Sequence, residues 1–337
     1  MNKQLLTMAF IAASGAAYAQ VIPNGNFEDW STQSYDEPNT WFTSNREAPG
    51  LNSVSKVTGF SGSAIKIETK ADPNNQGDFI GGFISNTEGD PTEGQGGVPF
   101  SQQPTAITGK IMANMVGNDT ALLLVVFKKN GTVTSMNVFK LSGKNQTTFT
   151  DFSFPISLSA APDSVVIACA SSNLIAETGI EVGSSITIDN LAFTGPGVTQ
   201  TIPNGTFDQW TTITTNMLAD WDYFNNDALT RVTVKYKGTY ALKMETKDFG
   251  DGNVGPGFIS NGNNNSGLPY TNTVDTLIGW YKYSTPGNDS GSVSISLSKN
   301  GIGIGGAFKV LNPTATYTYF EMPIFTMSAP DSLRISI

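Results

Sequence analysis

The sequence has no histidine and a single cysteine, Cys169. The first absence excludes Ser-His-Asp and Cys-His catalysis, histidine-ligated zinc and imidazole acid–base chemistry. The second excludes an intrachain disulfide. Cys169 stands in the apolar run 165–170, which predicts a buried core thiol and not a reactive one. Charge is also sparse. Only 14% of residues are charged and the net charge is −9, so nucleic acid and anionic lipid would repel the chain. No apolar run is long enough to span a bilayer. No long 3.6-residue periodicity with caps appears, which argues against an α-helical fold.

Gly, Ser, Thr and Asn are plentiful, as in β proteins with long turns. At the start, Lys3, the apolar stretch 5–13 and Ala17-Tyr18-Ala19 have the layout of a secretory signal peptide, residues 1–19. Secretion without disulfides fits a Gram-negative cell surface. The expected location is therefore extracellular or on that surface, without membrane insertion.

The strongest signal is a unit written twice. Ile22-Pro23-Asn24-Gly25-Asn26-Phe27-Glu28-Asp29-Trp30 recurs as Ile202-Pro203-Asn204-Gly205-Thr206-Phe207-Asp208-Gln209-Trp210. Trp41 then matches Trp221, Glu68-Thr69-Lys70 matches Glu245-Thr246-Lys247, and Gly82-Phe83-Ile84-Ser85-Asn86 matches Gly257-Phe258-Ile259-Ser260-Asn261. Ala161-Pro162-Asp163-Ser164 matches Ala329-Pro330-Asp331-Ser332. These matches, all in one order, define a first repeat at 20–195, a linker at 196–200 and a second repeat at 201–337. Val293, Ile295 and Leu297 alternate with serines, which predicts a half-buried strand. Lys129-Asn130-Gly131 and Lys299-Asn300-Gly301 predict tight hairpins. The expected fold is all-β, two tandem β-sandwich (jelly-roll) domains. Leu122, Leu124 and Val126 stand where the second repeat has Ser292, Ser294 and Ser296, so that strand of the first repeat needs a cover on both faces. The second repeat stops before any counterpart of residues 185–193, which predicts a missing closing strand and an open edge available for protein contact.

The opening Asn24-Gly25-Asn26-Phe27-Glu28, Trp41 and the closing Ile188-Asp189-Asn190 resemble the galactose-binding-like jelly rolls, including carbohydrate-binding modules attached to glycoside hydrolases. Gly279-Trp280-Tyr281-Lys282-Tyr283 and Pro286-Gly287-Asn288-Asp289 are similar to the carbohydrate metabolism domain of secreted Gram-negative proteins, often placed ahead of a type IX secretion tag. The resemblance implies a structural calcium held by the first-strand carboxylate and the last-strand aspartate, here Glu28 and Asp189, with carbonyls from the turn around Phe60, Ser61 and Ser63. The alternative is a solvated Glu28 and an Asp189 that accepts backbone N–H bonds. Trp280, Tyr281 and Tyr283 replace Lys110, Ile111 and Ala113 of the first repeat and are the candidate ligand-binding residues. One face of that strand is expected to stack on sugar, unless the aromatics merely fill the interior. The loops 72–77 and 261–267, with Glu88, Asp90 and Glu93, are candidate polar contacts. No carboxylate pair is nominated for hydrolysis. The expected function is non-catalytic binding of extracellular polysaccharide by two modules; the alternative is a structural or adhesive surface protein.

Overall fold

The computed structural model describes residues 22–337 except 49, 74–76, 143–144, 224–227, 251–252, 263–266 and 286. Residues 1–19, expected from sequence to be a signal peptide, and the middles of the loops 72–77 and 261–267 lie outside the described residues. The described chain is all-β, with two short 3-10 turns at Ser44–Arg46 and Pro91–Glu93. No helix among the described residues is long and apolar enough to cross a membrane. Two compact units emerge: Phe27–Ile259, and the residues up to Asn26 together with Ser260–Ile337. This division differs from that of the sequence repeats, because residues 201–259 belong to the larger unit.

The larger unit begins with β1 (Trp30–Pro38), β2 (Phe42–Thr43), β3 (Val54–Thr58), β4 (Ser63–Glu68), β5 (Lys70–Ala71), β6 (Phe79–Ile80) and β7 (Phe83–Ser85). It continues with β8 (Val98–Pro99), β9 (Ala106–Asn114), β10 (Ala121–Lys129), β11 (Thr132–Ser142), β12 (Gln146–Pro155), β13 (Ser164–Ala170) and β14 (Ser185–Thr194). After the linker come β15 (Trp210–Leu218), β16 (Trp221–Tyr223), β17 (Leu229–Val232), β18 (Ala241–Met244), β19 (Lys247–Gly250) and β20 (Asn253–Gly255). One sheet runs β11-β10-β13-β7-β2 and the other β12-β9-β14-β4-β3. Their inward residues, among them Ile65, Ile67, Ile111, Leu123, Phe127, Ile167, Cys169, Ile186 and Ile188, form one core. Burial pushes the Cys169 thiol far up, which keeps it protonated and inert.

β10 is buried on both faces, as its composition requires. Leu123, Val125 and Phe127 face the main core. Leu124 and Val126 form a second cluster with Val166 and Ala168, and Leu122 is 5% exposed. The loop bearing the turn Pro91–Glu93 covers this side: a Cβ placed on Gly94 would touch Val126 and Val133. The hairpin turns are also as expected. Asn130 and Gly131 both take positive φ (50° and 74°), and Asn300 and Gly301 do the same (51° and 75°). Asp163 Oδ2 accepts from the Asn130 amide and Asp331 Oδ2 from the Asn300 amide, each at 2.6 Å. The repeated Ala-Pro-Asp-Ser is thus a turn support.

The opening segments of the two sequence repeats are exchanged. β1 pairs antiparallel with β15 in a register running Trp30↔Leu218, Ser34↔Thr214, Pro38↔Trp210. That register maps each repeat onto the other about its centre. Phe207, from the second repeat, packs at 5.4 Å on Trp41 of the first and is fully buried in the first sandwich's core together with Ile202. Phe27 packs in return on Trp221, also at 5.4 Å. Trp41 Nε1 donates to the Pro203 carbonyl (3.1 Å). Trp30 and Trp210 are half-buried and lock the two kinked openings by donating to the Phe27 and Phe207 carbonyls.

In the smaller unit the strands are β21 (Ile259–Asn261), β22 (Leu268–Pro269), β23 (Thr276–Tyr283), β24 (Gly291–Lys299), β25 (Ile302–Leu311), β26 (Thr314–Pro323), β27 (Phe325–Thr326) and β28 (Ser332–Ser336). One sheet contains β21-β28-β24-β25-β27, and β23 pairs with β26 as a separate ribbon. Val293, Ile295 and Leu297 are buried with Leu333 and Ile335. Ser292 and Ser294 are half-buried and Ser296 is exposed, the reverse of Leu122, Leu124 and Val126.

Candidate functional site

The candidate site is the outer face of the β23–β26 ribbon. Strand pleating sends alternate side chains to opposite faces. Ile278, Trp280 and Lys282 are exposed, whereas Leu277, Tyr281 and Tyr283 are half-buried on the other face. The register pairs Trp280 with Tyr319 and Ile278 with Glu321. The Trp280 and Tyr319 side chains are 43% and 44% exposed, with ring centroids 5.5 Å apart and planes tilted by 58°. They make an open aromatic notch. Tyr319 donates its hydroxyl to Glu321 Oε2 at 3.3 Å. Local desolvation and then the Glu321 carboxylate raise the Tyr319 phenol above its ordinary value, so it stays a neutral donor. Lys282, Glu321 and the tyrosine hydroxyl put polar groups around two ring faces, the combination that recognises a pyranose by stacking and hydroxyl bonding.

Of the three aromatics read from sequence, only Trp280 belongs to this outer face. Tyr281 lies edge-on to Phe320 (6.1 Å) on the inner face, and Tyr283 packs beside Gly291. Tyr319 was missed because a cross-strand partner depends on register, which the irregular step between Tyr281 and Tyr283 shifts.

The same place on the first sandwich is chemically different. There β9 pairs with β12, and Lys110 opposes Asp151 in an ion pair of 2.7 Å. The Lys110 ammonium also sits 3.9 Å from the Phe60 ring centroid. Thr108, Gly109, Lys110, Asp151, Phe152, Ser153 and Asn190 line a shallow depression of about 270 Å³.

Glu28 and Asp189, expected in one calcium sphere, sit on two different turns. Glu28 Oε1 accepts from the Thr239 amide at 2.8 Å. Asp189 is fully buried, and its Oδ2 accepts from the amides of Phe60 (2.8 Å) and Ser61 (3.3 Å). The carboxylate sharing Asp189's turn is Asp208, which accepts from the Ser63 amide at 2.9 Å. The physical reason is the exchange of opening segments. Both turns need a glycine, Gly62 (φ 67°) and Gly238 (φ 83°), because a Cβ there would strike the incoming carboxylate. Asp189 Oδ1 is buried with no hydrogen-bond partner, an oxygen that fits a hard cation. Among the described residues, no three His, Cys, Asp or Glu side chains gather as a metal cluster.

A second polar cluster escaped the sequence reading. Glu37, 5% exposed, accepts from the Thr43 hydroxyl (2.7 Å) and Arg46 Nε (3.0 Å), and Arg46 also reaches Glu88 (3.1 Å). Burial raises the Glu37 carboxyl above its ordinary value, opposed by those donors. Asp90 caps the turn at Thr92, and Glu93 accepts from Gln95. The acidic residues of this loop are thus committed to holding it.

No family model matches the chain, and no curated protein does. Solved structures give distant likenesses. A glycoside-hydrolase-like protein from Bacteroides thetaiotaomicron is 14% identical, with a TM-score of 0.36 over 45% of this chain and 61% of that one. The chain thus spans less than two thirds of that protein. A family 28 carbohydrate-binding module specific for non-crystalline cellulose is 10% identical, with a TM-score of 0.29 over 46% of this chain and 87% of the module. A family 6 carbohydrate-binding module from Clostridium stercorarium, solved with cellobiose, is 17% identical, with a TM-score of 0.23 over 50% of this chain and 88% of the module.

Proposed function

We propose that this chain is a non-catalytic, extracellular glycan-binding protein, exported by the signal peptide at 1–19 to a Gram-negative cell surface. The glycan contact assigned to it is the Trp280–Tyr319 notch. One observation carries this reading: two exposed rings, paired across strands, stand where the first sandwich has a Lys110–Asp151 ion pair. Large exposed aromatics in register are costly to leave bare and match the C–H faces of sugars. Titration calorimetry of the full chain against soluble β-glucans, mannans and galactans tests it. Binding that disappears in Trp280→Ala and persists in Lys110→Ala supports the assignment. Equal affinity in both variants ends it.

The second reading, a structural or adhesive protein with protein contacts, draws on a different patch. Ile302 (70% exposed), Phe308 (66%) and Phe325 (71%) lie on β25 and β27 of the smaller unit. A structural calcium is proposed with Asp189 as its anchor and Asp208 in the place first assigned to Glu28. When bound, the ion supplies charge neutralisation to the buried Asp189 and no chemistry.

A further inference from the structure

One turn is built twice in the larger unit, with opposite charge. Between β3 and β4, Gly59-Phe60-Ser61 precede Gly62. Two carboxylates dock there: Asp189 on the Phe60 and Ser61 amides, and Asp208 on the Ser63 amide. Lys56 is the cation that acts on Asp208. Lys110, against the Phe60 ring, is already paired with Asp151. Between β17 and β18 the device recurs, with Lys235-Tyr236-Lys237 ahead of Gly238. Here the docked carboxylate is Glu28, which accepts from the Thr239 and Tyr240 amides. The Arg231 guanidinium stands 4.5 Å from the centre of the Tyr240 ring. Lys235 and Lys237 are exposed, and neither makes an ion pair among the described residues. The nearby Lys243 and Lys247 are instead spent on Glu245, at 2.6 and 3.5 Å. Glu28 therefore faces Arg231, Lys235 and Lys237, whereas the first turn sets Asp189 and Asp208 against Lys56. The lysines are not needed to shape the turn, because Gly59 and Ser61 stand ahead of the same glycine in the first sandwich. Two like charges two residues apart repel each other, and an anion bound between them relieves that repulsion.

We infer that the Lys235–Lys237 turn binds an acidic polysaccharide, its carboxylate or sulfate groups held by Lys235, Lys237 and Arg231 and a sugar ring laid on Tyr236. Ammonium and guanidinium groups donate charge-assisted hydrogen bonds to either oxyanion. Tyr236 is 53% exposed and presents an aromatic face to the C–H groups of a sugar. The net charge of −9 repels a densely charged nucleic acid or an anionic lipid surface. A polymer whose charges are spaced along a sugar chain meets less of that repulsion. The inference rests on the glycan-binding reading for the choice of a sugar over other anions, but it uses a turn of the larger unit and not the Trp280–Tyr319 notch.

The test is calorimetric titration of the full chain at low salt with polygalacturonate, dextran sulfate and uncharged dextran. Lys235→Gln/Lys237→Gln is compared with Lys129→Gln/Lys140→Gln, which removes the same charge from exposed lysines of the first sandwich. At least one acidic polymer is expected to bind more tightly than dextran, and added salt should weaken it. Its affinity should fall about tenfold in the first double variant and by about twofold at most in the second. The polymer that binds distinguishes carboxylate from sulfate recognition. No binding of either acidic polymer, binding no tighter than to dextran, or equal losses in the two double variants overturns the inference. Tighter binding of a single-stranded oligonucleotide or of phosphatidylserine vesicles through the same lysines overturns the assignment to a sugar. Trp280→Ala separates this site from the notch. Neutral glycan binding that is lost in Trp280→Ala, with no acidic polymer bound by the intact chain, defeats this inference and spares the notch. Acidic-polymer binding that survives Trp280→Ala, with no neutral glycan bound by the intact chain, does the reverse.

Discussion

The first sandwich and the second repeat carry the same motifs in the same order, yet the strands that match in sequence, β9 and β23, are set differently. In the first, β9 lies between two strands, its inner residues are sealed, and its outer face bears an ion pair. In the second, β23 pairs with β26 alone among the described residues, its inner residues are half-buried, and its outer face bears Trp280 and Tyr319. A surface ion pair at the Lys110 position contributes little to stability. Replacing it with two exposed rings costs solubility and gains nothing for folding. The comparison therefore separates the two surfaces: the first carries an ion pair over a sealed strand, the second two exposed rings over a half-buried one.

The largest expected effect tests the exchange of openings. Phe207 is fully buried in a core made mostly by the first repeat, whereas Phe27 is half-buried. Phe207→Ala is expected to destabilise the larger unit by about 3–5 kcal/mol in chemical denaturation, and Phe27→Ala by roughly half as much. A smaller cost for Phe207 than for Phe27 would break the comparison. Next comes the ion. Calcium at a hundredfold excess over its dissociation constant is expected to stabilise the fold by about 2.7 kcal/mol, read as a fall in melting temperature on chelation. Asp189→Asn should remove that response, and Glu28→Gln should leave it. A melting temperature indifferent to chelation removes calcium from the account.

Third, Trp280→Ala is expected to weaken glycan binding about tenfold, near 1.4 kcal/mol, with little change in melting temperature. Lys110→Ala should do neither. The smallest effect is in pH. The Ser63 amide, with Thr206, holds the Asp208 carboxyl below its ordinary value. Its stabilising contribution is complete above the usual aspartate pKa of about 3.9 and fades as pH falls through the lowered value. Glu37 runs the other way. Burial raises it, so its contribution is full below the ordinary glutamate value and is lost as pH rises through the raised one. Melting curves across the acid range should show Asp208→Asn flattening the low-pH loss and Glu37→Gln flattening the decline on the higher side. Parallel curves for wild type and both variants would contradict the hydrogen-bond assignments.

Much of this fold was legible because its signals are local. Asn-Gly hairpins, serine alternation and the doubly apolar Leu122–Leu124–Val126 strand each state a backbone shape or a burial demand within a few residues. The exchange was illegible for a matching reason. Phe27 and Phe207 take the same positive φ (56° and 51°), so the motif folds identically whichever sandwich receives it. Local sequence cannot say which turn Glu28 or Asp208 will reach. Pairing Glu28 with Asp189 assumed that each opening docks on its own repeat. Tyr319 lay beyond reach because register across β23 and β26 depends on a strand irregularity.

The exchange of openings also sets an order in time. Ile202 and Phe207 complete the first sandwich's core, and β15 is the partner of β1. During synthesis, at about 5–20 residues per second, β1 waits on the order of 10 s or more before its partner strand exists. Until then the first 200 residues hold an unfinished core with a hole where Phe207 belongs. A chain whose earliest sandwich lacks part of its core until its later half has been made stays incompletely folded for most of its synthesis.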